Sequence, residues 1–144
     1  KYDPCCCTPL FDAIGKTVKT LKKKIADVED VGVLVTIITD GYENSSKEWD
    51  AKGVAKLIEE CKEDGWMFSF IGAGEDVVKV ATTISITNTM VWENTSEGTK
   101  KMFDEENDAR VRFCMRHDSL IDPCMSLEEK KMTRKKLSKE YYKK

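Results

Sequence analysis

Apolar residues recur at three- and four-residue steps through Leu10, Ile14, Val18, Leu21, Ile25 and Val28, while Lys16, Lys19, Lys22 and Lys23 fall between them. A single apolar stripe of this period predicts an amphipathic helix. Thr8-Pro9 opens it, with threonine suited to the N-cap and proline to the first helical position. The pattern then changes. Residues 33–39, Val-Leu-Val-Thr-Ile-Ile-Thr, are β-branched and nearly continuous, polar only at Thr36 and Thr39. Such a run suits a strand covered on both faces of a parallel sheet. It ends at Asp40-Gly41.

The alternation repeats along the chain. Ser45-x-x-Glu48 has the spacing of a capping box and predicts the start of a second helix, with Val54, Leu57, Ile58 and Cys61 as its buried stripe. Asp64-Gly65 ends that helix, Gly65 being suited to a left-handed cap. Residues 66–71 read as a second buried strand closing on Gly72-Ala73-Gly74, residues 75–83 as a short helix, and residues 88–92 as a third strand. After Asn94-Thr95-Ser96, a longer helix reaches about His117 and carries Met102, Phe103, Ala109 and Phe113. Asp122-Pro123 breaks the chain, and Ser126-x-x-Glu129 predicts a second capping box. Helices alternating with buried strands are the grammar of a three-layer, Rossmann-like α/β fold with a parallel sheet. We expect an α/β body over residues 1–122 and a basic helical tail over residues 123–144. The tail's irregular apolar positions predict that it docks weakly or projects.

Charge sharpens the division. The 144 residues carry a formal charge of −2. From Leu127 onward, eight basic residues face three acidic ones, so that segment is +5 and the remainder −7. An acidic body is poorly suited to nucleic acid, which leaves the tail to meet an anionic partner or its own body. No apolar run approaches the length of a membrane span. His117 is the single histidine, which excludes multi-histidine metal sites. Cys5, Cys6, Cys7, Cys61, Cys114 and Cys124 show neither paired zinc spacing nor a secreted disulfide framework. They are expected as reduced thiols in a cytoplasmic protein.

In parallel sheets, ligands bind outside the carboxyl ends of the strands. Asp40 lies there, either as a ligand for a hard cation or as a turn cap. Thr8, at the start of a helix, is either an N-cap or a metal ligand, and spacing favours the cap. Gly72-Ala73-Gly74-Glu75 matches the first part of a dinucleotide fingerprint but has Val77 in place of the third glycine, so a tight turn is the expectation. Ser45 and Ser46 read as caps, Trp49, Trp66 and Trp92 as packing residues, and His117 as a charge at a helix end.

Two blocks together, residues 8–15 (Thr-Pro-Leu-Phe-Asp-Ala-Ile-Gly) and residues 35–41 (Val-Thr-Ile-Ile-Thr-Asp-Gly), resemble the second half of a von Willebrand factor A-type domain of the bacterial, intracellular, stand-alone kind. The strand and glycine turn from Trp66 to Gly74, and Ser96-Glu97-Gly98-Thr99 at a helix start, extend the resemblance over residues 8–117. It implies a metal-ion-dependent adhesion site, with Thr8 and Asp40 matching the second and third of its three loops. The first loop, Asp-x-Ser-x-Ser, has no counterpart here, and the chain is expected to hold only strands 4, 5 and 6 of the family's six. The implied function is non-enzymatic protein–protein interaction. Mg²⁺ or Mn²⁺ would be held by Thr8 and Asp40 once the missing half is supplied, and an acidic side chain of the partner would complete the ion. The strand before Asp40 then becomes an exposed sheet edge, which predicts self-association, such as a dimer. The alternatives are a metal-free, self-associating interaction fragment, and a hydrolase or phosphotransferase using Asp40, which lacks a nucleophile–base pair.

Overall fold

The computed structural model describes residues 7–74 and 76–143. The elements run α1 (Leu10–Lys24), β1 (Leu34–Thr39), α2 (Ala51–Glu63), β2 (Met67–Ala73), α3 (Val77–Thr83), β3 (Asn88–Trp92), α4 (Ser96–Leu120) and α5 (Leu127–Ser138). The three strands form one parallel sheet in the order β1-β2-β3, with Leu34 opposite Met67 and Ser69 opposite Asn88. The fold is therefore α/β with a parallel sheet, consistent with a Rossmann-like architecture.

Period-2 alternation sorts the strand side chains to two faces. Val33, Val35 and Ile37 share one core with Trp66, Phe68 and Phe70, and α1, α2 and α3 cover it with Ile14, Val18, Val54, Ile58 and Ala81. The opposite face carries Leu34 and Met67, which pack on Ala109 and Phe113 of α4 and on Tyr141 beyond α5. Helices on both sides make three layers, as the alternating pattern predicts. β2 is the central strand and is buried along nearly its whole length.

The apolar stripe of α2 is buried as expected, and Gly65 has a left-handed backbone (φ 85) that closes the turn after it. Burial pushes the Cys61 thiol on this stripe up to about 11. Three expectations need correction. α1 begins at Leu10 with Pro9 at the N-cap position, a residue that makes no side-chain cap of its own, so Thr8 is not its cap. Ser45 and Glu48 form no capping box. Asp50 caps α2 by accepting from Gly53 N–H at 2.7 Å, while Glu48 pairs with Lys16. Val28 lies beyond the end of α1 and is exposed.

The C-terminal segment does not project. Its capping box, Ser126 with Glu129, forms as expected. Lys130, Arg134, Leu137 and Tyr141 are all buried. Asp30, in the turn before β1, accepts from Lys130 Nζ and from an Arg134 Nη, both at 2.6 Å. Asn88 Nδ2 donates to Ser138 O at 2.8 Å. Aliphatic stems and paired charges, rather than a regular apolar stripe, seat this helix.

Candidate functional site

The corner at the carboxyl end of β1 is built by a reciprocal lock. The first turn of α1 leaves backbone N–H groups without helical partners. Residues from the loop after β1 supply them: Glu43 Oε2 accepts from Phe11 N–H at 2.8 Å, and Ser46 Oγ accepts from Asp12 N–H at 3.0 Å. Asp12 returns the arrangement. Its buried carboxylate accepts from the N–H groups of Lys47, Glu48 and Trp49 at 2.9–3.0 Å. These bonds, led by the one from Lys47, hold the Asp12 carboxyl below its ordinary range. Burial works against the Glu43 carboxylate, yet the Ser46 hydroxyl and the N–H groups of Phe11, Ser46 and Ser45 together keep it low as well. Thr8 is tied in by its own N–H, which donates to Asn44 Oδ1 at 2.8 Å.

The lock brings the two sequence-predicted site residues into one corner. Thr8 Oγ1 lies 2.8 Å from where a Cβ on Gly41 would stand, so only glycine admits this approach. Asp40 precedes it, exposed at the end of β1. The turn is closed by Thr39, whose Oγ1 donates to Gly41 O at 2.9 Å and accepts from Gly41 N at 3.2 Å. Beside it lies a crevice lined by Asp40, Tyr42, Gly72, Asp76 and Val77. Asp76 is paired with Lys79 at 2.7 Å, which holds its carboxyl below the usual range. The crevice measures about 20 Å³, room for about one water.

As a donor set for a cation, the corner is incomplete. Mg²⁺ takes six oxygens in near-octahedral geometry. The corner offers the Thr8 hydroxyl and the Asp40 carboxylate, while Asp12 and Glu43 are engaged by the chain's own N–H groups. Among the described residues, no three His, Cys, Asp or Glu side chains converge. By themselves, then, the residues of the corner do not fit an octahedral ion.

The other candidates fall elsewhere. His117 Nε2 accepts from Arg134 Nε at 3.2 Å and lies beside Gly32, at the amino end of β1. Asp40 is at the opposite end, a six-residue strand or roughly 20 Å away. No His–Asp pair is formed with Asp40. Gly74 has a left-handed backbone (φ 92) in the turn after β2, as a tight turn requires, and Glu75 lies outside the described residues. Cys7, Cys61, Cys114 and Cys124 are free thiols, whereas Cys5 and Cys6 lie outside the described residues. Ser46 acts as a cap, though of α1 rather than of its own helix. Ser45 Oγ is buried without a hydrogen-bond partner among the described residues.

The sequence reading missed a polar centre under the other face. Glu106 of α4 is 2% exposed. It accepts from Thr36 Oγ1, from Tyr141 Oη and from Tyr142 Oη, each at 2.8 Å. Ser69 Oγ donates to Thr36 Oγ1 at 3.2 Å. Thr36 and Ser69 are register partners on adjacent strands. Their side chains interrupt two apolar runs at the same level, and that coincidence was the available signal.

No helix among the described residues is long and apolar enough to cross a membrane. No family model, curated protein or solved structure matches the chain.

Proposed function

We propose that this chain is a non-enzymatic protein–protein interaction module of the von Willebrand factor A kind, whose binding corner is completed by another chain. One observation carries the reading. The half-built oxygen corner of Thr8 and Asp40 stands at the end of β1, and among the described residues β1 pairs only with β2, which leaves its outer edge without a strand neighbour. A strand laid along that edge would meet unpaired backbone groups and bring its own side chains to the same corner. Mg²⁺ or Mn²⁺ held there would take Thr8 and Asp40 as two of its oxygens and the remainder from the incoming chain, with an acidic side chain among them. A second copy is the partner nearest to hand. The metal-free form of the same reading keeps the edge pairing and dispenses with the ion.

The hydrolase or phosphotransferase reading lacks a nucleophile–base pair at Asp40, since His117 lies at the opposite end of β1. The acidic body argues against nucleic acid as the partner. The exposed thiols of Cys7, Cys114 and Cys124 suit a reducing, cytoplasmic setting.

The test is sedimentation equilibrium at micromolar concentration, paired with thermal melts in Mn²⁺ and in EDTA. We expect a self-associated chain whose Tm rises in Mn²⁺ and an Asp40→Ala variant that does not respond. Self-association that ignores both Mn²⁺ and EDTA selects the metal-free form. A monomer indifferent to metal overturns the proposal.

A further inference from the structure

Ion pairing divides the basic residues of the C-terminal segment into two sets. Lys130 and Arg134 reach Asp30, Lys131 reaches Asp64 at 3.5 Å, and Lys135 reaches Glu63. These cations hold α5 against the body. Lys136 and Lys139 lie further round the helix, exposed, and make no ion pair among the described residues. Among the described residues Lys143 pairs only with Glu140, at 3.7 Å across an exposed gap.

These three lysines rim a groove of about 710 Å³ between the end of α4 and the outer side of α5. Its apolar lining is Leu120, Met125 and Leu137. Leu120 is 52% exposed and offers its side chain to the groove. The single acid on the rim, Glu140, lies between Lys143 and Arg116, the latter at 4.0 Å. The groove thus combines an apolar floor with an excess of cations, on a chain whose remaining residues carry −7.

We propose that this groove docks an acidic, amphipathic segment of a partner protein, with carboxylates on Lys136, Lys139 and Lys143 and an apolar side chain over Leu120. Charge complementarity sets the sign of the ligand, and the apolar floor requires that the ligand also bring hydrophobic surface. The concavity and the acidic body favour a narrow segment over a flat anionic membrane. A peptide enters without bringing its charge near the body, whereas a bilayer approaches the whole face. The groove lies towards the amino end of the sheet, away from Asp40, so it stands or falls independently of the binding corner.

The experiment is fluorescence anisotropy of the full chain with a labelled synthetic peptide of Asp, Glu and Leu. A peptide with Lys in place of the acids and vesicles rich in phosphatidylserine serve as comparisons. We expect the acidic peptide to bind, with affinity falling as salt is raised. Lys136→Glu combined with Lys139→Glu should weaken binding by about tenfold or more, as expected when close charge pairs are reversed. The circular-dichroism melt should fall only slightly, because both side chains are exposed and make no ion pair among the described residues, and the reversed charges meet only the screened C-terminal end of α5. Leu120→Ser should weaken binding with little change in its salt dependence. Equal affinity in the double variant, equal binding of the Lys peptide, or binding to vesicles without binding to the peptide would each overturn the proposal.

Discussion

Glu106 shows how much one residue can hold in this molecule. It receives three hydroxyl hydrogen bonds, from Thr36 of β1 and from Tyr141 and Tyr142 beyond α5. Burial, reinforced by these bonds to a carboxylate, keeps the Tyr141 and Tyr142 phenols protonated far above the ordinary tyrosine range. Glu106→Ala would leave three hydroxyls without an acceptor, at about 1–3 kcal/mol each before relaxation. We expect urea denaturation to show a loss of at least about 3 kcal/mol, and trypsin to cleave the C-terminal segment faster. Glu106→Gln, which keeps an acceptor, should lose less. The residue was legible in retrospect. Met102, Glu106, Ala109 and Phe113 share core spacing on α4, and an acid at a core position requires partners. What the sequence could not show is that Tyr141 and Tyr142, 35 and 36 residues further on, would provide them.

Between elements, caps were harder to read than helices and strands. Hydrophobic period placed every strand and helix within a few residues, because burial on a sheet or helix face is a local pattern. The cap of α1 is not local. Ser46 and Asp12 are 34 residues apart, so no short motif signals their pairing. Seating of α5 by Asp30 is longer in range still, and it makes a segment with weak apolar period into part of the core. Both arrangements rest on carboxylates whose folded pKa lies below the unfolded value: Asp12, Glu43, and Asp30 beside Lys130 and Arg134. A depressed carboxyl stabilises the fold above its unfolded pKa, and this contribution is lost as pH falls through the folded one. With ordinary values of 3.8 for Asp and 4.5 for Glu, Tm should stay level from neutrality down to about pH 5 and drop below about pH 4. Thermal melts across that range would show it, and Asp12→Asn should give a shallower drop from a lower start. At neutral pH, Ser46→Ala should cost about 1 kcal/mol, the usual magnitude for a lost cap.

At the scale of the whole molecule, the sheet of three parallel strands has edges at β1 and β3 that no further strand pairs among the described residues, and the two are not equivalent. β1 carries Val35, Ile37 and Ile38 within six residues, with Ile38 46% exposed. No lysine, no proline and no bulge breaks the run from Leu34 to Thr39. The apolar run made this strand legible from sequence. That its outer edge stays open follows from the strand order, which period alone does not set. An apolar, unguarded edge ending at Thr8 and Asp40 is the surface on which the proposed interaction depends. A lysine on it should act as the missing guard. We expect Ile38→Lys to weaken self-association at least tenfold, a loss of about 1.4 kcal/mol or more, while the thermal melt of the isolated chain changes little because the side chain is already half in solvent. Sedimentation equilibrium over a range of concentrations measures both arms. If the wild type stays monomeric at the highest concentration, or the variant associates as tightly, the open edge is not the interface, and Thr8 and Asp40 lose the neighbour that makes them a site.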